Sequence, residues 1–201
     1  MATRIKAIIF DIGGVVIKLR NGQIYTSLCK EFNLDYGEFA KIRKKYHKIV
    51  QTGKISFSKY TTFLSRDLKV DKNKFRRLWL TFTKAILKKE VVRTIIKLKK
   101  NYILCTLTNV ISVNDTMRNK GNLLHSKFHF KFNSYECGFA KPDIRFYKMV
   151  LKKLKILAKE IVFIDDDAKN LVPARKLGMK TILFRDNYQL IKELKSFGVR
   201  V

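Results

Sequence analysis

Cysteine, acidic residues and long apolar stretches are all scarce in this chain. Cys29, Cys105 and Cys137 are odd in number, widely spaced and form no CxxC pair, so no disulfide framework is encoded. Cys105 sits in an apolar run and is expected to be buried packing, and a reducing cytoplasm is the expected location. No apolar run approaches the length that crosses a bilayer. The one nearest the N-terminus, Ala7 to Phe10, is short and runs directly into Asp11, unlike a secretory leader; no membrane association is expected. Acids number 16 against 44 lysines and arginines, a formal net charge of +28. Such a field attracts polyanions, nucleic acid or an anionic surface among them. The lysines are spread along the whole chain, which favours plain solvated helix faces. On either reading the field draws phosphorylated molecules inward.

What is present is enough apolar material for a core. Of 201 residues 46% are hydrophobic, with 15 Phe, 8 Tyr and one Trp. That excludes disorder and fits one compact domain, or one domain carrying a small inserted one. There is no internal repeat and no low-complexity segment.

Five short apolar runs read as buried strands: Ile5–Phe10, Tyr102–Leu107, Phe128–Phe132, Ile161–Ile164 and Thr181–Phe184. Helical patterns lie between most of them, which predicts βαβ units and a parallel sheet. Leu171, Ala174 and Leu177 share one helix face, with Gly178 as a left-handed stop. Leu190, Ile191 and Leu194 form another, closed by Gly198. The stretch 18–85 differs, because it carries helical periodicity alone. Its stripes are Tyr25/Leu28/Phe32, Phe39/Ile42/Tyr46/Ile49, Tyr60/Phe63/Leu64 and Phe75/Leu78/Trp79/Phe82. Thr52-Gly53-Lys54 marks a break between the second and third. The expected architecture is therefore α/β: a Rossmann-like parallel sheet flanked by helices, built from residues 1–17 and 86–201. A four-helix unit, residues 18–85, is inserted after the first strand.

Four polar sites follow these runs. Phe10-Asp11-Ile12-Gly13-Gly14 ends a strand in a carboxylate and two glycines. The carboxyl edge of an open parallel sheet is where ligands bind. An aspartate there can attack phosphorus, and glycines let backbone N–H groups approach phosphate oxygens. Thr108 and Asn109 end a second run and offer a hydroxyl and an amide. Lys141-Pro142-Asp143 places a lysine just outside a helix that Asp143 can cap. Ile164-Asp165-Asp166-Asp167 puts three acids after a buried strand, and their repulsion calls for a cation, for which Mg²⁺ with its preference for oxygen ligands is the candidate.

The order Asp11, Thr108, Lys141, Asp165-Asp166 resembles the four motifs of the haloacid dehalogenase superfamily of hydrolases. The segment Ser134-Tyr135-Glu136-Cys137-Gly138-Phe139-Ala140-Lys141-Pro142-Asp143 is similar to the family's Ser-x-Glu-x-Gly-x-x-Lys-Pro-Asp. The stretch Phe163 to Met179 looks like the phosphatase domain of soluble epoxide hydrolase and like glucose-1-phosphate phosphatases. The resemblance covers nearly the whole chain and is weakest in the inserted helices, which match an α-helical cap in type. It implies an Mg²⁺-dependent phosphatase acting on a small phosphate monoester, a sugar phosphate among the options, through an aspartyl-phosphate. Asp11 would be the nucleophile. Asp11, the Gly13 carbonyl, Asp166 and Asp165 would hold the metal. Thr108 and the Asn109 region would bind phosphate, and Lys141 would stabilise charge. The alternative is a weakly active relative that binds nucleic acid or another polyanion. A dehalogenase ranks lower, since Lys141 and the paired acids suit phosphate and metal.

One position departs from the family pattern. Relatives carry a second Asp two residues after the nucleophile, as general acid and base; here that residue is Gly13. Such help contributes roughly 10²–10⁴ in rate. His47 and Asp35 of the inserted helices are the candidate substitutes, although a surface position is the simpler expectation for His47.

Overall fold

Alternation along the first strand divides the molecule in two. The computed structural model describes residues 4–18, 21–82, 86–112 and 125–201. Its strands are β1 (Ala7–Phe10), β2 (Ile17–Lys18), β3 (Ile86–Leu87), β4 (Ile103–Thr108), β5 (Phe130–Asn133), β6 (Ile161–Asp165) and β7 (Lys180–Leu183). Five of them form one sheet in the order β5-β4-β1-β6-β7, with every neighbouring pair parallel. Ile9 of β1 lies between Cys105 and Phe163. Ile8 and Phe10 face one side and pack with Val91, Ile95, Leu190 and Leu194. Ala7 and Ile9 face the other and pack with Phe146, Val150 and Leu171. Both faces are covered, so the strands read as continuous apolar runs.

The helices supplying those covers are α5 (Lys89–Leu98) and α9 (Asn187–Ser196) on the first side. On the second side are α7 (Ile144–Leu154) and α8 (Ala168–Lys176). A short helix α6 (Ser134–Cys137) follows β5. Gly178 and Gly198 have φ of +89° and +79°, the left-handed stops their positions predicted.

The expected runs and the observed strands differ by one or two residues at their ends. The run Phe128–Phe132 pairs only from Phe130, because Phe128 turns into the core against Phe10, ring centroids 6.1 Å apart. The run Thr181–Phe184 pairs from Lys180 to Leu183; the Phe184 N–H adds one more bond, to the Asp165 carbonyl at 2.9 Å, and its ring lies under the Lys88 ammonium at 4.6 Å.

The insertion holds α1 (Asn21–Phe32), α2 (Tyr36–Gln51), α3 (Phe57–Asp67) and α4 (Lys72–Phe82). Asp35 and Ser56 cap α2 and α3. Leu28, Phe39, Tyr60, Leu64, Phe75 and Trp79 make a third core, with Tyr60 edge-on to Trp79 at 5.7 Å. Ile111, just beyond β4, packs into it. The antiparallel pair β2–β3 ties off the unit's two connections. The boundary expected at Ala85 and the side chain of Phe82 lie outside the described residues. No helix among the described residues is long and apolar enough to cross a membrane.

Candidate active site

The four polar positions converge because three of them end adjacent parallel strands. The Asp11 N–H extends β1 by one bond to the Ile164 carbonyl, 2.8 Å, and holds the carboxylate at the carboxyl edge. Asp165 ends β6 and Thr108 ends β4, and both are buried.

Lys141 arrives from a loop rather than a strand. The turn after α6 passes through Gly138 at φ +74°. Asn109 then clasps the lysine's main chain: its Nδ2 donates to the Lys141 carbonyl at 2.9 Å, and its Oδ1 accepts from the Lys141 N–H at 2.8 Å. The Ser134 hydroxyl fastens the same two segments through the Val110 N–H and carbonyl. The Asn109 side chain thus acts on Lys141, a use that its position beside Thr108 did not suggest.

The result is a buried charged triangle. Lys141 Nζ lies 3.0 Å from Asp11 Oδ1 and 2.6 Å from Asp165 Oδ2. Asp165 Oδ1 accepts from the Asp167 N–H at 2.9 Å and from Asn170 Nδ2 at 3.0 Å. The Asp166 carboxylate joins through a close approach to Gly14. A Cβ on Gly14 would fall 1.8 Å from Asp166 Oδ2, and Gly14 has φ +78°, so the loop needs glycine there twice over. One oxygen each of Asp11, Asp165 and Asp166 lies within 4.8 Å of the others.

Burial pushes the Asp11 carboxyl above its usual range; Lys141 pulls it down and Asp165 pushes it up. Burial weakens the Lys141 ammonium, but Asp11 and Asp165 outweigh that and hold it charged. Asp166, still open to solvent on one side, is raised to about 6 by partial burial, then by the charges of Asp11 and Asp165. Three carboxylates facing one ammonium leave an excess of negative charge. With their oxygens clustered, they fit a small divalent cation of hard character.

Lys88 is a further member that the sequence hid. It opens the segment after β3, and its Nζ donates to the Gly14 carbonyl. Burial lowers its basicity, and the Asp166 charge partly offsets that.

The two proposed substitutes for the missing acid fare differently from expectation. Asp35 is the N-cap of α2, accepting the Glu38 N–H at 2.8 Å. His47 is not a solvated surface residue: its Nδ1 is buried with no hydrogen-bond partner among the described residues. Burial, then the charge of Arg43, lowers its pKa to about 4, so it is neutral at pH 7. The packing of the helical unit, invisible in a lysine-rich stretch, accounts for the difference. Gly13 has no side chain and pairs through its backbone with Ile17.

The profile of the haloacid dehalogenase-like hydrolases matches residues 5–178. The bifunctional epoxide hydrolase 2 of Sus scrofa is 34% identical over 169 residues, covering 76% of this chain; the chain spans only 30% of that protein's length. A D-ribitol-5-phosphate phosphatase of Bacteroides thetaiotaomicron is 25% identical over 193 residues, 88% of this chain and 90% of that one. Among solved structures, a predicted HAD-like hydrolase from Porphyromonas gingivalis superposes with a TM-score of 0.81 at 22% identity, over 95% and 98% of the two chains. An HAD family enzyme from Bacteroides thetaiotaomicron, in complex with magnesium and inorganic phosphate, gives 0.74 at 22% identity over 90% and 94%. At that identity the likeness is one of fold.

Proposed function

The chain belongs to the haloacid dehalogenase-like hydrolases, and from that footing we propose that it is a Mg²⁺-dependent phosphatase of small phosphate monoesters with Asp11 as nucleophile. One observation carries the reading: Lys141 Nζ sits between the Asp11 and Asp165 carboxylates, 3.0 and 2.6 Å away. An ammonium so placed favours the ionised form of Asp11 against the effect of its burial and meets the incoming charge of the phosphoryl group.

Asp11, Asp165 and Asp166 would hold the magnesium ion, with the Gly13 carbonyl as the expected fourth protein oxygen. Bound there, the ion supplies charge neutralisation to the phosphoryl oxygens. The chain's own residues do the rest. An Asp11 oxygen forms the new bond to phosphorus as the ester oxygen departs with its electron pair. Thr108 donates its hydroxyl to a phosphoryl oxygen. Asp165, held by Asp167 and Asn170, keeps Lys141 in place. Water then cleaves the aspartyl-phosphate, returning carboxylate, inorganic phosphate and a proton. The helices α1–α4 act as a cap and set substrate choice. Gly53 lies against the Tyr135 carbonyl, where a Cβ would come within 2.0 Å, which supports a cap seated on the Lys141 side of the site.

Gly13 supplies no proton to the departing oxygen. That favours substrates with stable leaving groups, such as a phosphate on an anomeric sugar carbon. The same glycine favours a second reading, a phosphate-binding protein with slow turnover. Hydrolysis of p-nitrophenyl phosphate separates the two, because its leaving group needs little protonation. The phosphatase reading expects turnover that EDTA abolishes and that Asp11→Asn removes. EDTA-insensitive turnover would sink the magnesium role, and an active Asp11→Asn the nucleophile.

A further inference from the structure

Part of the positive charge forms two stripes on neighbouring helices. On α2, Lys41, Lys44, Lys45 and Lys48 follow i, i+3, i+4, i+7 and are all exposed, while Phe39, Ile42 and Val50 of the same helix are buried. On α7, Arg145, Lys148 and Lys152, with Lys155 at its left-handed C-cap, follow the same kind of stripe over buried Phe146, Tyr147 and Val150. Like charges one turn apart repel, so neither helix gains stability from its own stripe.

The two stripes run into each other. The turn after α2 puts Gly53 against the Tyr135 carbonyl of α6, and α2 packs on α6. The charge of Lys48 reaches Asp143, the N-cap of α7. Acid is outnumbered along this track: Glu38 opens α2 one turn before Lys41, Glu136 lies on α6, and the other two acids are paired. Asp143 is bound by Arg145 at 2.6 Å, and Asp67 lies 3.8 Å from Lys45. No ion pair among the described residues engages Lys41, Lys44, Lys48, Lys148, Lys152 or Lys155. At about 1.5 Å per residue the stripes extend roughly 10 and 15 Å.

We propose that the exposed faces of α2 and α7 together form a docking surface for the phosphate backbone of nucleic acid. A single small phosphate cannot engage cations spread over such a length, whereas a strand presents one phosphate about every 3.4 Å. A lipid surface would be met by bulky apolar side chains set among the cations. Here the large exposed apolar residues on these helices are Tyr36 and Ile144, both at helix starts. The proposal is independent of the phosphatase reading, because none of these residues belongs to the Asp11 site.

The test is anisotropy of a short fluorescein-labelled DNA duplex titrated with the full chain across a KCl series. Binding with a slope of log K against log salt near −5 is expected for about six phosphate contacts. The triple variant K44E/K148E/K152E is expected to lose on the order of 10²-fold at about 50 mM salt and to flatten the slope by about 3. The charge-matched control R93E/K97E/K100E alters exposed residues of and just after α5, on the opposite face of the sheet. It is expected to lose far less. Equal losses in both variants would overturn the proposal, since net charge alone would then govern binding. So would no binding of the wild-type chain at low salt, or cosedimentation with phosphatidylserine vesicles without duplex binding. Thermal melting, expected unchanged, verifies that the variants are folded.

Discussion

Replacing Gly14 by alanine tests the site's least visible dependence. The residue has φ +78°, and a Cβ there would fall 1.8 Å from Asp166 Oδ2, 2.3 Å from Cγ and 2.8 Å from Oδ1. All three contacts are shorter than real Cβ atoms tolerate, so the carboxylate must retreat by about 1.7 Å to reach ordinary van der Waals separation near 3.5 Å. The left-handed backbone adds about 1–2 kcal/mol of strain for any residue with a Cβ. Asp166 is the oxygen donor on the open side of the cluster. Moving it should weaken Mg²⁺ binding by roughly 10–100-fold, the scale seen when groups that orient metal ligands are lost. The assay is p-nitrophenyl phosphate turnover against Mg²⁺ concentration, with thermal melting at each concentration. The activation midpoint should move up by that factor, and the melting gain from added Mg²⁺ should shrink in parallel. An alanine variant with wild-type midpoint and turnover would refute the placement of Asp166 in the metal site.

Other consequences follow from the same geometry. Lys141→Met leaves Asp11 and Asp165 buried without their cation, which should cost about 3–5 kcal/mol at neutral pH and at least 10²-fold in turnover; urea unfolding and steady-state rates read both, and a loss below 1 kcal/mol would contradict the ion pairing. The Asp166 carboxyl, raised to about 6 without metal, binds its proton more tightly folded than unfolded. Metal-free stability from this group therefore grows as pH falls from about 6 towards 4. Protons and Mg²⁺ compete for it, so the Mg²⁺ midpoint should rise up to about tenfold per pH unit below 6; a midpoint constant from pH 5 to 7 would argue against it. Tyr60 Oη is buried with no partner among the described residues, and such a group costs about 1–3 kcal/mol. Tyr60→Phe should accordingly leave stability in urea unchanged or raised, and a loss above about 1 kcal/mol would reveal a partner.

The sheet and the site were legible to different depths. Asp11, Thr108 and Asp165 could be read because each polar residue interrupts an apolar run, and parallel pairing brings those interruptions to one edge. Lys141 could be read only as part of the ordered set, since a lone lysine among 44 basic residues carries little information. Lys88 stayed hidden for that reason, and its contact with the Gly14 carbonyl spans 74 positions. Asn109 was visible as a polar strand-end residue, but its clasp on Lys141 depends on a loop conformation that no periodicity encodes. The β2–β3 pair has two residues in each strand, too few to repeat a pattern. His47 was misjudged because burial of one nitrogen is set by helix packing, while its neighbours in sequence are exposed lysines.

Acid-quenched turnover of p-nitrophenyl phosphate, followed by peptide mass analysis, tests the central claim most directly. The account predicts a phosphoryl adduct on the peptide containing Asp11, absent in Asp11→Asn and absent when EDTA is present. Steady turnover with the adduct on another peptide, or undiminished turnover by Asp11→Asn, would contradict it.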